Sequence, residues 1–366
     1  DIAQPIRAVF ADRPNFEVIM AEVTAIDLAG RRVEHSRGAL NYDFLVVAAG
    51  SATSYFAHPE WAQVAPGLKS LDDALRVRRQ ILCSFEQAET EPDPRKKADL
   101  MTMVVIGAGP TGVDLSRRVL RKDFDHIDSS TARVILVSSG DRVLEGFQPE
   151  MSASALAQLK SIGVEVLTGV RAEGISEGEV LVGGKTIKAG VMIWAAGVCA
   201  SPLGQALGVE TDRSGRVLVQ PDLSVPGYPN AFVAGDLASI TDANGVKVPG
   251  VAQGALQMGG HIAGIISHEI KVARHAAEPR ERAPFAYVDK GSMATIGRSA
   301  AVAEIGKLKL SGWWAWVAWL LVHLLFLIGF RSKIAVLLNW MYSYLTFKRG
   351  ARIITGVSGE GSAGSA

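Results

Sequence analysis

The sequence is poor in cysteine and has almost no imbalance of charge. Only Cys83 and Cys199 occur in 366 residues, far apart and in no CxxC or metal-ligand spacing. This argues against a disulfide framework and a redox dithiol, and it favours a reducing compartment. The net charge of +1 gives no general reason to expect nucleic acid. The seven histidines are scattered and no catalytic triad is evident, so we assign no metal site.

A starting methionine is also missing, because the chain opens at Asp1 and soon enters strand-like sequence. We expect a chain whose beginning is absent, with a processed mature terminus as the alternative. The length allows two or three domains of about 150 residues each.

Short strands separated by turn residues are predicted in the first fifty residues, at 16–20, 22–26, 32–34 and 44–49. A helix is predicted over 71–89 from apolar residues near helical spacing. The polar, proline-containing stretch 91–97 is interpreted as a linker or surface loop.

Alternating strands and helices follow, which indicates a doubly wound parallel sheet. The predicted strands are 102–106, 132–137, 164–167 and 191–195, and the predicted helices are 113–120 and 151–162. After Pro221, a strand at 231–234 and a helix over 253–266 are expected. The fold class is therefore α/β.

A glycine-rich turn joins the strand 102–106 to the next helix. Gly107, Gly109 and Gly112 fit GxGxxG, with Pro110 and Thr111 between them. The first glycine permits a tight turn, the second lets the backbone approach a pyrophosphate, and the third lets the helix pack on the strand. The phosphates would then bind at a helix N-terminus. The turn predicts a nicotinamide dinucleotide, and a structural coincidence is the alternative.

The residue that normally grips the ribose is unusual. A carboxylate is expected after the next strand, but Ser138 and Ser139 stand there, with Arg142 nearby. We interpret this as relaxed cofactor choice that tolerates NADPH, unless another residue such as Asp141 supplies the carboxylate. Asp114 either complements the helix dipole in the first turn or faces the nicotinamide.

Four segments carry a family resemblance: 42–50, 107–114, 249–257 and the tryptophan-rich 312–331. Three strand ends, at 47–50, 194–197 and 234–236, belong to the same family pattern. The chain resembles the two-dinucleotide flavoproteins, and among them the type II, non-proton-pumping NADH:quinone oxidoreductases, over nearly its whole length. The resemblance implies a flavin-dependent enzyme that passes electrons from NAD(P)H through FAD to a membrane quinone, either ubiquinone or menaquinone.

The resemblance also implies the domains and binding residues. In that family a first GxGxxG for FAD precedes the segment with which this chain opens, so we expect two Rossmann-like domains, the first incomplete. The expected divisions are 1–70 and 221–300 for FAD, 71–220 for NAD(P)H, 301–355 for a membrane-associated helical region, and 356–366 for a disordered tail. Beyond the glycine turn and Ser138, the implied NAD(P)H ligands are Ala196 and Gly197. The implied FAD ligands are Ala49, Gly50, Gly235, Asp236, Val251 and Ala252.

Catalytic roles are implied for Asp114, Gln253 and Gln257. Asp236 would bind the ribityl chain, although Gly-Asp is also ordinary turn chemistry. The two glutamines, four apart on one helix face, would face the flavin and bind quinone carbonyls, although such pairs often form only a polar face.

The apolar run 313–330 carries four tryptophans at its start and is just long enough to be a candidate membrane span. His323, Gly329 and flanking basic residues favour a helix that lies on the membrane, as does the amphipathic stretch 334–345. A buried core or dimer helix is the alternative. The resemblance implies a peripheral or monotopic protein on the cytoplasmic face of a bacterial cell membrane. Assembly into a homodimer is left as an alternative to the monomer.

Two other functions compete with this interpretation. One is a soluble flavoprotein reductase of the disulfide or ferredoxin kind, which the missing dithiol and the tryptophan-rich end disfavour. The other is a non-catalytic, nucleotide-binding membrane module, since the flavin fingerprint is absent from this chain.

Overall fold

The computed structural model describes residues 5–11, 13–115, 126–128, 131–297, 299–326, 333–338, 340 and 354. The chain divides into two compact units that interleave along the sequence. The first contains Tyr55–Gly197 and the described residues of Asp1–Val9 and Gly291–Ala366, and the second contains Phe10–Ser54 and Val198–Lys290.

The helices of the described residues are α1 Ile6–Val9, α2 Leu71–Thr90, α3 Pro94–Leu100, α4 Pro110–Leu115, α5 Pro149–Ser161, α6 Leu203–Ala206, α7 Ala252–Ala273 and α8 Gly312–Phe326. Residues 333–338 are also helical. The strands there are β1 Val23–Asp27, β2 Arg32–His35, β3 Gly38–Asn41, β4 Leu45–Val47, β5 Ser51–Thr53, β6 Thr102–Ile106, β7 Arg133–Val137, β8 Val164–Leu167, β9 Ala172–Ser176, β10 Glu179–Val182, β11 Lys185–Lys188, β12 Val191–Trp194, β13 Val198–Ala200, β14 Val217–Leu218, β15 Ser224–Val225, β16 Tyr228–Val233, β17 Ala238–Ser239, β18 Ser292–Thr295, β19 Ala301–Ile305 and β20 Leu308–Ser311.

A four-stranded parallel sheet in the order β12-β6-β7-β8 is the centre of the first unit. Every residue of β6 and β12 is buried, because α2 and α5 pack on one face of the sheet and strand β10 packs on the other. A parallel sheet needs such cover on both faces. Leu136, Leu159 and Ile193 are fully buried on one face. The carboxyl ends of β6, β7 and β12 therefore meet at one sheet edge.

Capping explains where α2 begins. The Ser70 hydroxyl accepts a hydrogen bond from the Asp73 amide at 3.0 Å, and the Asp73 carboxylate accepts one from the Ser70 amide at 2.8 Å. This reciprocal capping box satisfies two amides that the first helical turn leaves unpaired.

In the second unit, β4 pairs in parallel with β16, and β15 lies antiparallel on the other side of β16. The long helix α7 packs on this sheet through Met258 and Ile262, which contact a core that contains Phe232 and Leu237. The strand ends of β4 and β16 lie at the same edge, because parallel neighbours run in the same direction.

Two antiparallel sheets of the first unit were not predicted from the sequence: β11-β10-β9 and β18-β19-β20. Helix α8 packs on the second of these through Ala315, which is buried together with Ala301 and Ala303 of β19. Small side chains permit this close approach of helix and sheet.

The predicted α/β fold is confirmed, and the strands at 102–106 and 164–167 have their predicted bounds. The strand predicted at 16–20 is wrong. That stretch is irregular, because none of the described strands pairs with it. The linker predicted at 91–97 contains the start of α3, where Asp93 accepts a hydrogen bond from the Arg95 amide and Pro94 begins the helix.

The helix predicted at 113–120 begins earlier, at Pro110, and residues 116–120 lie outside the described residues. The same holds for half of the predicted amphipathic stretch 334–345, namely 339 and 341–345, and for the tail 356–366. Among helices of the described residues, none has the length and apolar character needed to cross a membrane.

Candidate functional site

The glycine turn lies at the carboxyl end of β6. Gly107 has a φ of 112° and donates its amide to the Val137 carbonyl at 2.7 Å. A side chain at Gly107 would collide with the Ala195 carbonyl, and one at Gly112 would collide with the Gly107 carbonyl. Both positions therefore require glycine for close packing of strand, turn and helix.

Gly109 is glycine for a different reason. The position that a Cβ would take there has no heavy atom within 4 Å, so that side of the turn is open. Pro110 and Thr111 begin α4 beside it and are exposed. An open backbone at the start of a helix is a surface on which a pyrophosphate fits.

The loop after β7 contacts this turn directly. The Leu144 amide donates to the Ala108 carbonyl at 2.9 Å. Ser138 accepts the Gly140 amide on its Oγ at 3.2 Å. Arg142 donates through Nη2 to the carbonyls of Glu145 and Phe147, at 2.9 and 3.1 Å, so its guanidinium lies along the loop backbone.

Ala196 and Gly197 follow β12 at the same edge as the turn. A side chain at Gly197 would come within 3.0 Å of the ring of Phe56. Phe56 has a φ of 54°, which is uncommon for a residue other than glycine, and is 72% exposed. Its ring packs edge-on against Trp194, which also stacks on Tyr55.

Asp114 belongs to α4 by its backbone, and its side chain lies outside the described residues. The structure therefore places the predicted residue in the first turns of the helix after the glycines. Whether its carboxylate faces a nicotinamide stays a prediction.

The second unit presents a separate strand edge. Ala49 and Gly50 follow β4, and Gly235 and Asp236 follow β16. The Ser51 hydroxyl donates to the Asp236 carboxylate at 2.6 Å. This hydrogen bond brings together residues that are 185 positions apart and fixes the carboxylate at the strand edge.

Helix α7 starts beside this carboxylate. A side chain at Gly250 would lie 3.5 Å from the Asp236 carboxylate, and one at Gly235, whose φ is 72°, would lie 3.3 Å from Ala255. The N-cap residue Val251 provides no side-chain cap, so the positive end of the dipole is not covered by a capping side chain.

The glycines, the Asp236 carboxylate and the helix N-terminus fit the ribityl and ring end of FAD. A residue other than glycine at Gly235 would have to adopt the strained φ of 72° and would crowd Ala255. A helix N-terminus favours negative charge on a bound ring.

Gln253 and Gln257 lie on one face of α7 and share a partner segment. The Val288 amide donates to the Gln257 side-chain oxygen at 2.9 Å, and the Gln257 side-chain nitrogen donates to the Val288 carbonyl at 3.0 Å. The Lys290 amide donates to Gln253 at 3.2 Å. The two amides therefore hold the backbone of 288–290.

A carboxylate anchors the same segment one residue earlier. The Asp242 side chain accepts the amides of Tyr287 and Val246 at 2.8 Å and the Asn244 amide at 2.9 Å. Hydrogen bonds from the Tyr287 and Val246 amides hold the pKa of Asp242 below its usual value.

Sequence reasoning missed the partners that complete these two edges: Phe56, Glu145, Val288 and Lys290. Each lies far from its contact in sequence or in a loop without a motif. Glu145 alone carried a signal, as an acid shortly after the second strand of the dinucleotide unit. The described residues hold no group of three metal-ligating side chains.

Comparison with known families gives two matches. Residues 3–259 match the pyridine nucleotide-disulphide oxidoreductase model, and residues 290–349 match the NDH2 C-terminal domain model.

Two curated relatives come from Mycobacterium tuberculosis. Type II NADH:quinone oxidoreductase Ndh is 44% identical, over 97% of this chain and 79% of the relative. Type II NADH:quinone oxidoreductase NdhA is 42% identical, over 97% and 78%.

Among solved structures, NDH2 from Plasmodium falciparum in complex with NADH superposes with a TM-score of 0.81 at 18% identity. The match covers 89% of this chain and 83% of that one. At this identity the likeness concerns the fold.

Proposed function

Because the chain belongs to the type II NADH:quinone oxidoreductases, we propose that it is the enzyme that carries electrons from NADH through FAD to a quinone without pumping protons. The observation that carries this function is the identity of 44% with Ndh across nearly the whole chain. The glycine turn and the Asp236 edge would provide the sites for the two cofactors.

The first unit would bind NADH at the glycine turn. Gly109 lets the backbone approach the pyrophosphate, and Pro110 and Thr111 would present the start of α4 to it. Ala196 and Gly197 would line the nicotinamide end, with Ser138 at the ribose end. Asp114 is proposed to face the nicotinamide.

The second unit would hold the flavin. Asp236, oriented by Ser51, would accept hydrogen bonds from the ribityl hydroxyls, and Ala49 and Gly50 would line the adjoining edge. The start of α7 at Val251 and Ala252 would stabilise negative charge on the ring. The redox chemistry is supplied by FAD when bound, which takes two electrons from NADH and gives them to quinone.

Gln253 and Gln257 are proposed to act at the quinone end. Their amides already hold the backbone at 288–290. The quinone would therefore meet two side chains whose positions are set by that segment. Ubiquinone and menaquinone both carry carbonyls that such amides can bind.

The test uses the purified full chain with its bound flavin under anaerobic conditions. NADH should bleach the flavin absorption near 450 nm, and a soluble quinone should restore it with one NADH consumed per quinone reduced. A protein that binds no flavin would favour a non-catalytic module. Bleaching that only a disulfide or ferredoxin acceptor reverses would contradict the quinone assignment.

The membrane is the second partner that we propose. We propose that helix α8 lies along the membrane surface, because tryptophan suits the headgroup zone and the helix exposes apolar side chains. Trp313, Trp314, Leu321 and Leu325 are exposed on it. The proposed location is the cytoplasmic face of a bacterial cell membrane, and a homodimer through this face is the competing outcome.

We propose for this chain the division into domains that the family resemblance implies. Residues 71–220 would form the part that binds NAD(P)H, and 1–70 with 221–300 the part that binds FAD. Residues 301–355 would form the membrane-associated part, in which α8 and not the buried strand β19 would contact lipid. Separate loss of NADH binding or of flavin after substitution in one division would test it.

A further inference from the structure

The ribose end of the dinucleotide site lacks its usual acid. In a dinucleotide-binding unit a carboxylate after the second strand accepts hydrogen bonds from the adenosine ribose hydroxyls. Here that strand is β7, and it is followed by Ser138, whose Oγ accepts the Gly140 amide at 3.2 Å. A neutral hydroxyl cannot replace the charge of the missing carboxylate.

A different acid reaches this place from further along the chain. Glu145 folds back over Gly140, so that a side chain at Gly140 would collide with the Glu145 carboxylate. The three nearest atoms all belong to that carboxylate, with Oε2 at 2.9 Å. Gly140 is the third residue after Val137, the end of β7. The carboxylate therefore lies in the loop where ribose recognition is expected.

The loop backbone holds Glu145 in this position. Leu144, immediately before it, is buried, has a φ of 52°, and donates its amide to Ala108 of the glycine turn at 2.9 Å. On the other side, Arg142 donates to the Glu145 carbonyl at 2.9 Å. The glycine turn is thus hydrogen-bonded to Leu144, and Glu145 is the next residue in the chain.

The carboxylate is also available to a ligand. Glu145 is exposed, and its side chain makes no hydrogen bond or ion pair with the described residues. Arg142, the cation that would attract a 2′-phosphate, is held by its Nη2 against the carbonyls of the loop.

We infer that Glu145 is the ribose-binding and cofactor-selecting residue of this chain. Its carboxylate accepts hydrogen bonds from the adenosine ribose hydroxyls of NADH and repels the 2′-phosphate of NADPH. This inference rests on the proposed NADH site, and it replaces relaxed cofactor choice with a preference for NADH. Asp141, which directly follows Gly140, is the rival acid, and the variants below separate the two.

The test compares three neutralised acids in the flavin-loaded protein. Glu145→Gln should lower kcat/KM for NADH by about tenfold or more, through KM and not kcat, because a charge-assisted hydrogen bond is lost. The same variant should raise kcat/KM for NADPH by about fivefold, because repulsion is removed. Asp141→Asn and the downstream Glu150→Gln should leave the NADH to NADPH ratio unchanged.

Calorimetric titration with NAD⁺ and NADP⁺ supplies a readout that does not depend on turnover. Glu145→Asp, which keeps the charge, should retain the preference for NAD⁺ with weaker binding. An unchanged NADH to NADPH ratio in Glu145→Gln overturns the inference, and so does a changed ratio in Asp141→Asn. In either case, NADH oxidation by the wild type would still support the proposed function. Absence of NADH binding in the wild type would instead contradict the function itself.

Discussion

At the scale of single residues, the glycines of the dinucleotide turn differ in what a side chain would meet. Gly107 and Gly112 face protein backbone, and Gly109 faces open space. The first two positions therefore serve the fold and the third is proposed to serve the ligand, although all three belong to one motif. This distinction separates binding from stability in a single experiment.

We expect Gly109→Ala to fold as the wild type does, with KM for NADH raised by about tenfold, because the methyl group enters the approach to the pyrophosphate. Gly112→Ala should instead lower the Tm, since its methyl collides with the Gly107 carbonyl. Thermal unfolding and NADH kinetics on both variants check this. Wild-type KM in Gly109→Ala would contradict the binding surface.

The Ser51–Asp236 hydrogen bond gives a second residue-scale prediction. Asp236→Asn should weaken flavin retention by about tenfold, the effect of losing a hydrogen bond to a charged group. Ser51→Ala should have a smaller effect, because the carboxylate remains but loses its orienting donor. The ratio of flavin to protein absorption after desalting measures retention. Equal flavin content in wild type and Asp236→Asn would argue against the ribityl role.

At the scale of elements, α7 borders the strand edge at Asp236, where we propose that flavin binds, and it also holds the segment 288–290. Its N-terminus lies beside Asp236, and one turn later its glutamines hold 288–290. Any shift of that segment would be transmitted to the amides proposed to bind quinone. Asp242 secures the same segment through Tyr287.

Gln257→Leu should release this segment. The variant removes both hydrogen bonds to Val288, so hydrogen exchange of that amide should increase by about tenfold. KM for quinone should rise at the same time. Lys271→Leu, near the other end of α7, serves as the control and should leave Val288 protected. Unchanged exchange at Val288 would refute the contact.

Acid should loosen the same segment through Asp242. A carboxyl whose pKa is lower when folded contributes stability above its unfolded pKa of about 3.9, and this is lost as the pH falls through the folded value. Unfolding midpoints should therefore decrease below about pH 4. Asp242→Asn should be less stable at neutral pH and lack this component. If the unfolding midpoint of Asp242→Asn decreased below about pH 4 as steeply as that of the wild type, the role of Asp242 would be contradicted.

At the scale of the whole molecule, the two units are built from interleaved parts of the chain, and each presents one nucleotide edge. The first carries the glycine turn and α8, and the second carries Asp236 and α7. We therefore expect that substitutions can impair the proposed binding of NADH, of flavin or of lipid one at a time.

Membrane binding is the prediction that belongs to this scale. Trp314 is 69% exposed on α8. The double variant Trp313→Ala with Trp314→Ala should reduce flotation with phosphatidylcholine–phosphatidylglycerol vesicles by about fivefold, since tryptophan favours the headgroup zone. Val198→Ser, an exposed apolar site outside α8, is the control. Lipid-free dimers that the double variant dissociates would favour a homodimer face instead.

Local sequence was enough to predict the parallel strands of the central sheet and the glycine motif. The all-apolar strand 102–106, the glycine spacing and the resemblance of the chain to its family are properties of neighbouring residues. Local periodicity and turn chemistry encode them directly. The same reasoning failed at 16–20, because a strand also requires a partner that neighbours do not reveal.

Long-range packing brings together the residues that complete the proposed sites, and local sequence does not reveal these contacts. Glu145 reaches Gly140 because Leu144 is anchored on the glycine turn, and Gln257 meets Val288 across 31 positions. Phe56 covers Gly197, although the two residues lie at opposite ends of the segment Tyr55–Gly197. Such contacts depend on how buried surfaces pack, and packing joins residues irrespective of their separation in the chain.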